Sequence, residues 1–259
     1  MDRLHRFESV TSTNDVAKTM AEDGAPHGVV VVAREQTKGR GRRGRTWVSP
    51  PGAGLYASFV IRPFDLPAYA GLSLRSAIAA AHAIERTSSL IPHPSSLPTP
   101  YTLPPTPLLK WPNDLLIDGR KIGGILVEAS SGYAVVGIGV NILSSANPLI
   151  VENPDLYTAL DRESRIDGGA SEERLLALLI EEFDRWVGGD LAIDAKLMEE
   201  WARRDALAGR RIICAIGREE FAGECIGIDA SGALRVRLDS GHVRTINAGE
   251  ITGVAMRSR

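Results

Sequence analysis

The sequence predicts an α+β protein that divides into a mixed α/β domain over residues 1–206 and a small β-barrel over residues 207–259. Two observations lead to this prediction. Before residue 206, apolar strand patterns alternate with patterns of helical period, as they do in a sheet flanked by helices. After Gly209 the chain becomes a series of short strands separated by glycine-containing turns, which is typical of a small barrel.

The composition is that of an ordinary globular protein. Of 259 residues, 44% are hydrophobic, and 30 Lys+Arg against 32 Asp+Glu leave a formal net charge of −2. That balance argues against a protein that coats nucleic acid, since such proteins are strongly basic. No apolar stretch approaches the ~18 residues of a membrane span. Residues 1–8 carry charges where a signal peptide needs apolar side chains, so we expect a cytoplasmic protein that does not enter membranes.

The first predicted helix begins at a polar cluster. Ser12 stands at the N-cap position and Asp15 three residues later, so the pair predicts a capping box, and Gly24 with Pro26 ends the helix. The valine-rich run over residues 28–33 then predicts a strand that is buried on both faces.

A basic loop, residues 38–47, follows this strand directly. Its first eight residues contain five cations and three glycines. Glycine lets backbone N–H groups approach phosphate oxygens, and arginine grips two oxygens at once. The loop is therefore suited to hold an anion, although such a run alone is also typical of a solvated loop or a nucleic-acid patch.

The middle of the chain predicts a further strand at residues 55–61 and an alanine-rich helix at residues 72–86. Residues 91–107 hold seven of the fifteen prolines, which excludes helix or central strand and indicates an extended surface loop.

Two strands with glycines at interior positions, which we call glycine-notched strands, come next. Asp118-Gly119 between two apolar runs predicts a tight hairpin, so that Lys121 begins the second strand. Gly123 and Gly124 interrupt that strand, and residues 133–142 form another apolar run with two glycines inside it. Strand-interior glycines mark close approach of a ligand or of backbone, so the pair predicts a slot in the sheet.

A last helix is predicted from Ser171, read as its cap, to Gly188. Trp186 and Trp201 are expected in the core. The chain's two cysteines, Cys214 and Cys225, lie in apolar strand patterns without metal-ligand spacing, and we expect reduced core residues.

Four motifs in a fixed order carry a resemblance to a known family. They are GRGRRGRTW at 39–47, KWPND at 110–114, KIGGILVE at 121–128 and GIGVN at 137–141, with STN at 12–14 ahead of them. Together they resemble the biotin protein ligases. The likeness covers about residues 5–142, and residues 208–254 resemble the family's Src-homology-3-like barrel.

The resemblance implies a fold and a reaction. The fold is a catalytic domain like those of class II aminoacyl-tRNA synthetases and lipoate ligases, with a mixed sheet and flanking helices, before the small barrel. The reaction joins biotin to ATP as biotinyl-5′-AMP and then passes biotin to a lysine of a biotin carboxyl carrier domain of a carboxylase. Mg²⁺ and the carrier protein are the implied cofactor and partner, and a homodimer is left open.

The resemblance also assigns site residues. The biotin site is implied to be lined by Ser12, Thr13, Asn14, Gln36, Gly39 and Arg40, with Gly124, Leu126 and Gly137 as floor and walls. Hydroxyls and an amide suit the ureido head of biotin, and glycine-notched strands suit its thin tail, which needs a slot free of side chains.

The nucleotide end follows by the same resemblance. Lys121 is assigned to the phosphate and the transferring carboxyl oxygen, and Arg40 and Arg42 to fixed positive potential over the intermediate. Arg42, Asn113 and Asn141 are expected to contact the nucleotide, with Trp47 on the adenine side.

Three basic-loop and motif residues are less defined. Asp114 is expected to orient the attacking lysine amine, to hold Mg²⁺, or to cap the turn after Pro112. Arg43 and Arg45 are expected to keep the open loop solvated.

Rival functions make different predictions. The motif at residue 12 leaves no room for the DNA-binding helix-turn-helix of bifunctional family members, so no DNA partner is expected. Lipoate or octanoate ligation is the closer rival, and tight lipoate binding without biotin binding would identify it. A non-catalytic nucleic-acid-binding module is the more distant one, and it predicts a steep salt dependence of binding.

Overall fold

The computed structural model describes residues 3–89, 105–163 and 168–254. A seven-stranded sheet is built from β1 (Leu4–Val10), β2 (Val30–Gln36), β3 (Gly54–Ile61), β4 (Leu108–Lys110), β5 (Asp114–Ile117), β6 (Arg120–Ser130) and β7 (Tyr133–Asn141). The helices are α1 (Thr13–Glu22), α2 (Tyr69–Ser89), α3 (Pro148–Glu152), α4 (Leu160–Glu163), α5 (Gly168–Val187) and α6 (Ala195–Arg204). A second sheet contains β8 (Arg211–Ile216), β9 (Glu219–Ile228), β10 (Leu234–Arg237), β11 (Val243–Ile246) and β12 (Glu250–Val254).

The large sheet is mixed. Its strand order is β1-β2-β3-β7-β6-β5-β4. Strands β1 and β2 are parallel and joined through α1, whereas the other neighbours are antiparallel. Val10 at the end of β1 lies opposite Gln36 at the end of β2. Helix α1 therefore begins, and the basic loop leaves β2, at the same edge of the sheet.

Helices cover both faces of this sheet. Val29 and Val31 pack towards α1, with Ala17 and Ala21 in the same cluster. The alternate residues of β2 join the larger core that contains α2 and α5. This two-sided burial explains the continuous valine run, and the predicted double-faced strand is confirmed.

Most predicted elements are confirmed, including the strands at β3 and β7 and a longer helix at α2. Asp118 and Gly119 have φ values of 49° and 79° and form the predicted tight turn between β5 and β6. Trp186 and Trp201 are buried, and both cysteines are buried and free. No described helix is long and apolar enough to cross a membrane.

Two helix starts differ from the predictions. Helix α5 begins at Gly168, so Ser171 lies inside it instead of capping it. Ser12 does occupy the N-cap of α1, but its side chain makes no capping bond. The predicted capping box is not formed, and Asp15 instead pairs with Arg40 at 2.6 Å. The predicted proline-rich loop lies mostly outside the described residues.

The C-terminal sheet is antiparallel, with the order β11-β10-β9-β8-β12. In the described part of the chain its end strands, β11 and β12, are not paired with each other, so the sheet is not seen to close. One hydrophobic core runs from the large sheet into this one. The Trp111 indole Nε1 donates to Gly232 O at 3.1 Å across the junction. The division at residues 206 and 207 stays a prediction.

Replacing Trp111 with Phe tests this junction. Trp111 is buried, so the variant leaves the Gly232 carbonyl without its donor. We expect the free energy of unfolding, measured by urea denaturation, to fall by about 1–2 kcal/mol. An unchanged urea midpoint and slope would contradict a stabilising role for this hydrogen bond.

Candidate active site

A cleft opens at the edge of the large sheet where α1 begins and the basic loop leaves β2. Strands β6 and β7 form its floor, and residues 249–251 of the C-terminal sheet close one side. The cleft is lined by every predicted site residue except Gly39: Ser12, Thr13, Asn14, Gln36, Arg40, Arg42, Trp47, Asn113, Asp114, Lys121, Gly124, Leu126, Gly137 and Asn141.

Gly39 is buried at the base of the basic loop. A Cβ at this position would lie 2.3 Å from the Trp47 carbonyl oxygen. The Trp47 N–H donates to Gly39 O at 2.9 Å, which closes the loop. Glycine is required here by backbone packing, because any side chain would push the backbone at residue 39 away from the backbone at Trp47.

One polar network forms the inner end of the cleft. Gln36 Oε1 accepts from the Thr13 backbone N–H at 2.9 Å, and Gln36 Nε2 donates to Ser49 Oγ at 2.9 Å. These two bonds fix the orientation of the Gln36 amide. The network satisfies a free N–H group in the first turn of α1 with a side chain of β2.

Asn14 extends the network onto the sheet. Its Oδ1 accepts from Ser58 Oγ at 2.7 Å, and its Nδ2 donates to Glu128 Oε2 at 2.6 Å. A Cβ on Gly137 would lie 2.3 Å from Asn14 Oδ1. The glycine therefore makes room for a side chain of the protein itself.

The expectation of a slot free of side chains is consequently wrong at two glycines. Asn14 fills the notch at Gly137, and Trp47 fills the notch at Gly139, where a Cβ would lie 2.7 Å from the indole. Close packing fills the space that each missing side chain leaves. Gly124 differs, because a Cβ there would meet only Lys121 and Asn113 atoms at ordinary contact distances of 3.5 Å or more.

Lys121 lies beside this open glycine. Its Nζ is 2.5 Å from Asp114 Oδ1 and 5.4 Å from the centre of the Trp47 ring. Within the described residues the Trp47 Nε1 is buried and has no hydrogen-bond partner. Lys121, Asp114 and Trp47 thus form one compact group next to Gly124.

The arginines of the basic loop differ in their partners. Arg40 lies between Asp15, at 2.6 Å, and Glu128, at 3.0 Å. Arg43 and Arg45 stay exposed, as expected, with 46% and 64% of their side chains accessible, but both also pair with Glu250 of the C-terminal sheet. Their partner is 205 or more residues away in sequence, and no local pattern indicates it.

Arg42 is the arginine of the loop that has no carboxylate within ion-pair distance among the described residues. It is half-buried, and this burial lowers the pKa of its guanidinium. Its closest polar contact is Asn113 Oδ1, at 3.4 Å from Nη1. A half-buried cation without a counter-ion attracts an anionic ligand, which would restore the lost solvation.

Lys110 is a second half-buried cation of the cleft, and it is not among the residues predicted from the sequence. Burial lowers the pKa of this lysine, and its Nζ donates to Ile251 O at 3.3 Å. It lines the cleft with Arg42 and Lys121. Its place at the start of the KWPND motif was the available signal.

The two asparagines assigned to the nucleotide are engaged by the protein. Asn113 Nδ2 donates to Ile125 O at 2.9 Å, and Asn141 Nδ2 donates to Thr158 O at 3.0 Å. They shape the walls of the cleft. Leu149 and Tyr157 add an apolar wall that the sequence patterns did not indicate.

Comparison with known proteins assigns the chain to a family. The model of the biotin/lipoate A/B protein ligase family matches residues 6–143, which is more than half of the 259 residues. The chain belongs to this family. Residues 208–252 also match the biotin protein ligase C terminal domain.

Several relatives of this family are similar along nearly their whole length. A biotin--[acetyl-CoA-carboxylase] ligase of Paracoccus denitrificans is 36% identical, over 93% of this chain and 96% of its own. A ligase of the same description from Mycobacterium tuberculosis is 30% identical, over 93% of this chain and 85% of its own. The biotin protein ligase of Aquifex aeolicus, solved with biotin and ATP, superposes with a TM-score of 0.74 at 26% identity and covers 97% of this chain and 98% of its own.

Two glycine-to-alanine substitutions distinguish a glycine that packs against the protein's own side chains, Gly137, from one that leaves space for a ligand, Gly124. Gly137→Ala would push Asn14 away from Ser58, and we expect a loss of about 1–3 kcal/mol in the free energy of unfolding. Gly124→Ala meets only ordinary contacts, so its stability should stay within about 0.5 kcal/mol of the parent while biotin binding weakens. Thermal unfolding and calorimetric titration with biotin measure both. Equal stability of the two variants would contradict this account.

Glu250→Gln tests the contact between the basic loop and the C-terminal sheet. The substitution removes the charge shared by Arg43 and Arg45, so tryptic cleavage after these residues should accelerate about two- to fivefold, as expected for partly exposed pairs. Mass spectrometry identifies the cleavage sites. Glu219→Gln, which removes the partner of Arg244 in the same sheet, is the matched control. Cleavage of the loop at the parental rate in Glu250→Gln would argue against the contact.

Proposed function

We propose that this protein is an ATP-dependent biotin protein ligase, which forms biotinyl-5′-AMP and pyrophosphate and then transfers biotin to a lysine of a biotin carboxyl carrier domain. The observation that carries the proposal is the polarity of the cleft. Neutral hydroxyl and amide groups cluster beside α1, whereas Arg42, Lys110 and Lys121 line the cleft next to Asn113 and Asp114. A neutral ureido ring joined to a carboxylate, next to a triphosphate, has the same polarity. The names of the relatives agree with this function.

Biotin is proposed to bind with its ureido ring at the α1 end. The Ser12 side chain is buried there and makes no capping bond, which leaves its hydroxyl for a ligand. Thr13 and Gln36 add a preorganised hydroxyl and amide. The apolar tail would pass over Gly124 and Leu126 towards Lys121. Asn14 would support this site from below, since its own polar atoms are already bonded.

In the first half-reaction a carboxylate oxygen of biotin attacks the α-phosphorus of ATP, and pyrophosphate leaves. Negative charge builds on the α-phosphoryl oxygens during this step. Lys121 and Arg42, which both line the cleft, would stabilise that charge, and Lys110 would hold the leaving phosphates. Leu149 and Tyr157 would pack against adenine, with Trp47 between the nucleotide and β7.

In the second half-reaction the amine of the acceptor lysine attacks the acyl carbon, and AMP leaves with its oxygen. Lys121 would stabilise the oxyanion that forms at the carbonyl. Asp114 lies 2.5 Å from Lys121 and is proposed to orient the incoming amine with its other oxygen. The basic loop would exclude water from the mixed anhydride between the two steps.

The described residues do not form a cage for a resident metal. No group of three His, Cys, Asp or Glu side chains that could hold an ion occurs among them. Mg²⁺ usually reaches such sites bound to substrate phosphates and takes one or two protein carboxylates. We therefore propose that Mg²⁺ enters with ATP, where it neutralises triphosphate charge, and that Asp114 is its candidate protein ligand.

The finer points of the fold belong to the same proposal. A catalytic domain of the class II synthetase and lipoate-ligase type over residues 1–206 and a Src-homology-3-like barrel over residues 207–259 are consistent with the mixed sheet and the antiparallel C-terminal sheet. The carrier protein would approach the open side of the cleft near Lys121.

The proposal is tested by incubating the protein with ATP, Mg²⁺ and biotin and analysing the bound fraction by mass spectrometry. We expect retained biotinyl-AMP and one pyrophosphate released for each adenylate. A calorimetric titration with lipoate runs in parallel, and tight binding of lipoate with none of biotin would overturn the proposal in favour of lipoate ligation.

Lys121→Ala tests the chemistry. Loss of a charge-stabilising group at the reacting atoms should lower the rate of adenylate formation by about 10²–10³-fold with the melting temperature unchanged. Lys18→Ala, at an exposed position of α1, is the matched control and should keep parental turnover. Parental turnover in Lys121→Ala would refute the catalytic assignment.

A further inference from the structure

Glu128 near the end of β6 contacts two residues that line the cleft, Asn14 and Arg40. Its Oε2 accepts from Asn14 Nδ2 at 2.6 Å. Both of its oxygens also lie close to Arg40 Nη2, at 3.0 and 3.2 Å. Glu128 does not line the cleft. Its contacts with residues that do line the cleft are those to Asn14 and Arg40.

The contact to Asn14 fixes the orientation of a buried amide. A carboxylate only accepts hydrogen bonds, so the NH₂ group of Asn14 must face Glu128 and the carbonyl oxygen must face Ser58. The carbonyl oxygen then sits in the notch at Gly137. Without the carboxylate, the acceptor left for Asn14 Nδ2 among the described residues is Leu126 O, at 3.4 Å. This long bond holds the amide poorly.

The contact to Arg40 ties the basic loop to the sheet. Arg40 Nη1 donates to Asp15 on α1, and Arg40 Nη2 approaches Glu128 on β6. The guanidinium thus connects the first turn of α1 to β6. Of its two carboxylate partners, only Glu128 also bonds to Asn14.

We propose that Glu128 is a positioning residue that couples the biotin end of the cleft to the basic loop. The inference rests on the proposed function, since it assumes that biotin binds above Asn14. A ligand that stabilises the orientation of Asn14 also stabilises the position of the Glu128 carboxylate, which pairs with Arg40. Closure of the loop that fixes Arg40 stabilises the orientation of Asn14 in turn. Such coupling is reciprocal.

Three variants separate the two contacts. Asp15→Asn weakens one partner of Arg40 and leaves Asn14 unchanged. Glu128→Gln removes the charge that attracts Arg40 but keeps an oxygen that accepts from Asn14. Glu128→Ala removes both contacts. Glu173→Gln, which breaks the exposed and remote pair with Arg6, is the control for the loss of a surface carboxylate.

The KM for biotin and the kcat for adenylate formation are measured for each variant. Because Arg40 and its partners are more than a third exposed, Asp15→Asn and Glu128→Gln should change the KM for biotin by no more than about threefold. Glu128→Ala leaves a buried Asn14 donor poorly paired and should raise the KM by about tenfold, with a smaller change in kcat. A KM for biotin that stays near the parental value in Glu128→Gln but rises in Glu128→Ala shows that Glu128 acts by positioning Asn14, because both variants lose the charge.

Hydrogen exchange of residues 39–47 measures the coupling itself, with biotin as the only added ligand. Biotin should slow exchange of the loop in the parent and in Glu173→Gln, and the slowing should be lost in Glu128→Ala. Equal KM values for Glu128→Ala and Asp15→Asn, or loop protection by biotin in Glu128→Ala, would overturn the inference. Failure of the proposed function is distinguishable, because the parent itself would then bind no biotin and release no pyrophosphate.

Discussion

The parallel pairing of β1 with β2 is the constraint on which the site depends. Its register sets Val10 opposite Gln36, so the N-terminus of α1 and the start of the basic loop meet at one edge of the sheet. The free N–H groups of a helix start and the cations of a loop are thereby brought to one cleft. Gln36 joins the two elements directly, because it bonds to Thr13 on one side and to Ser49 on the other.

Charge cancellation decides which cations of the cleft remain for a ligand. The basic loop is strongly positive in sequence, yet Asp15 and Glu128 pair with Arg40, and the single carboxylate of Glu250 is shared by Arg43 and Arg45. Arg42 is left half-buried and without a carboxylate partner in the described part of the chain. Arg40, Arg42, Arg43 and Arg45 all line the cleft, and Arg42 differs from the other three because it has no carboxylate partner among the described residues.

The elements predicted from the sequence are those whose own residues show a regular apolar pattern or a turn motif. The valine run of β2, the Asp118-Gly119 turn and the alanine-rich α2 each have a signal within a few residues. Strand β1 was not predicted, because its side chains are mostly exposed and it shows no apolar alternation. The motifs indicated the site, but they did not indicate that Asn14 packs against Gly137 and Trp47 against Gly139. Asn14 lies 123 positions from Gly137, and a missing side chain does not identify the group that fills its space.

We expect Arg42, and not the ion-paired Arg45, to bind the nucleotide phosphates. Calorimetric titration of Arg42→Ala and Arg45→Ala with ATP and Mg²⁺ in the presence of biotin tests it most directly. Arg42→Ala should weaken ATP binding about tenfold or more, because a charge-assisted contact is lost, while Arg45→Ala should stay within about threefold of the parent. Equal losses in the two variants, or parental affinity in Arg42→Ala, would contradict it.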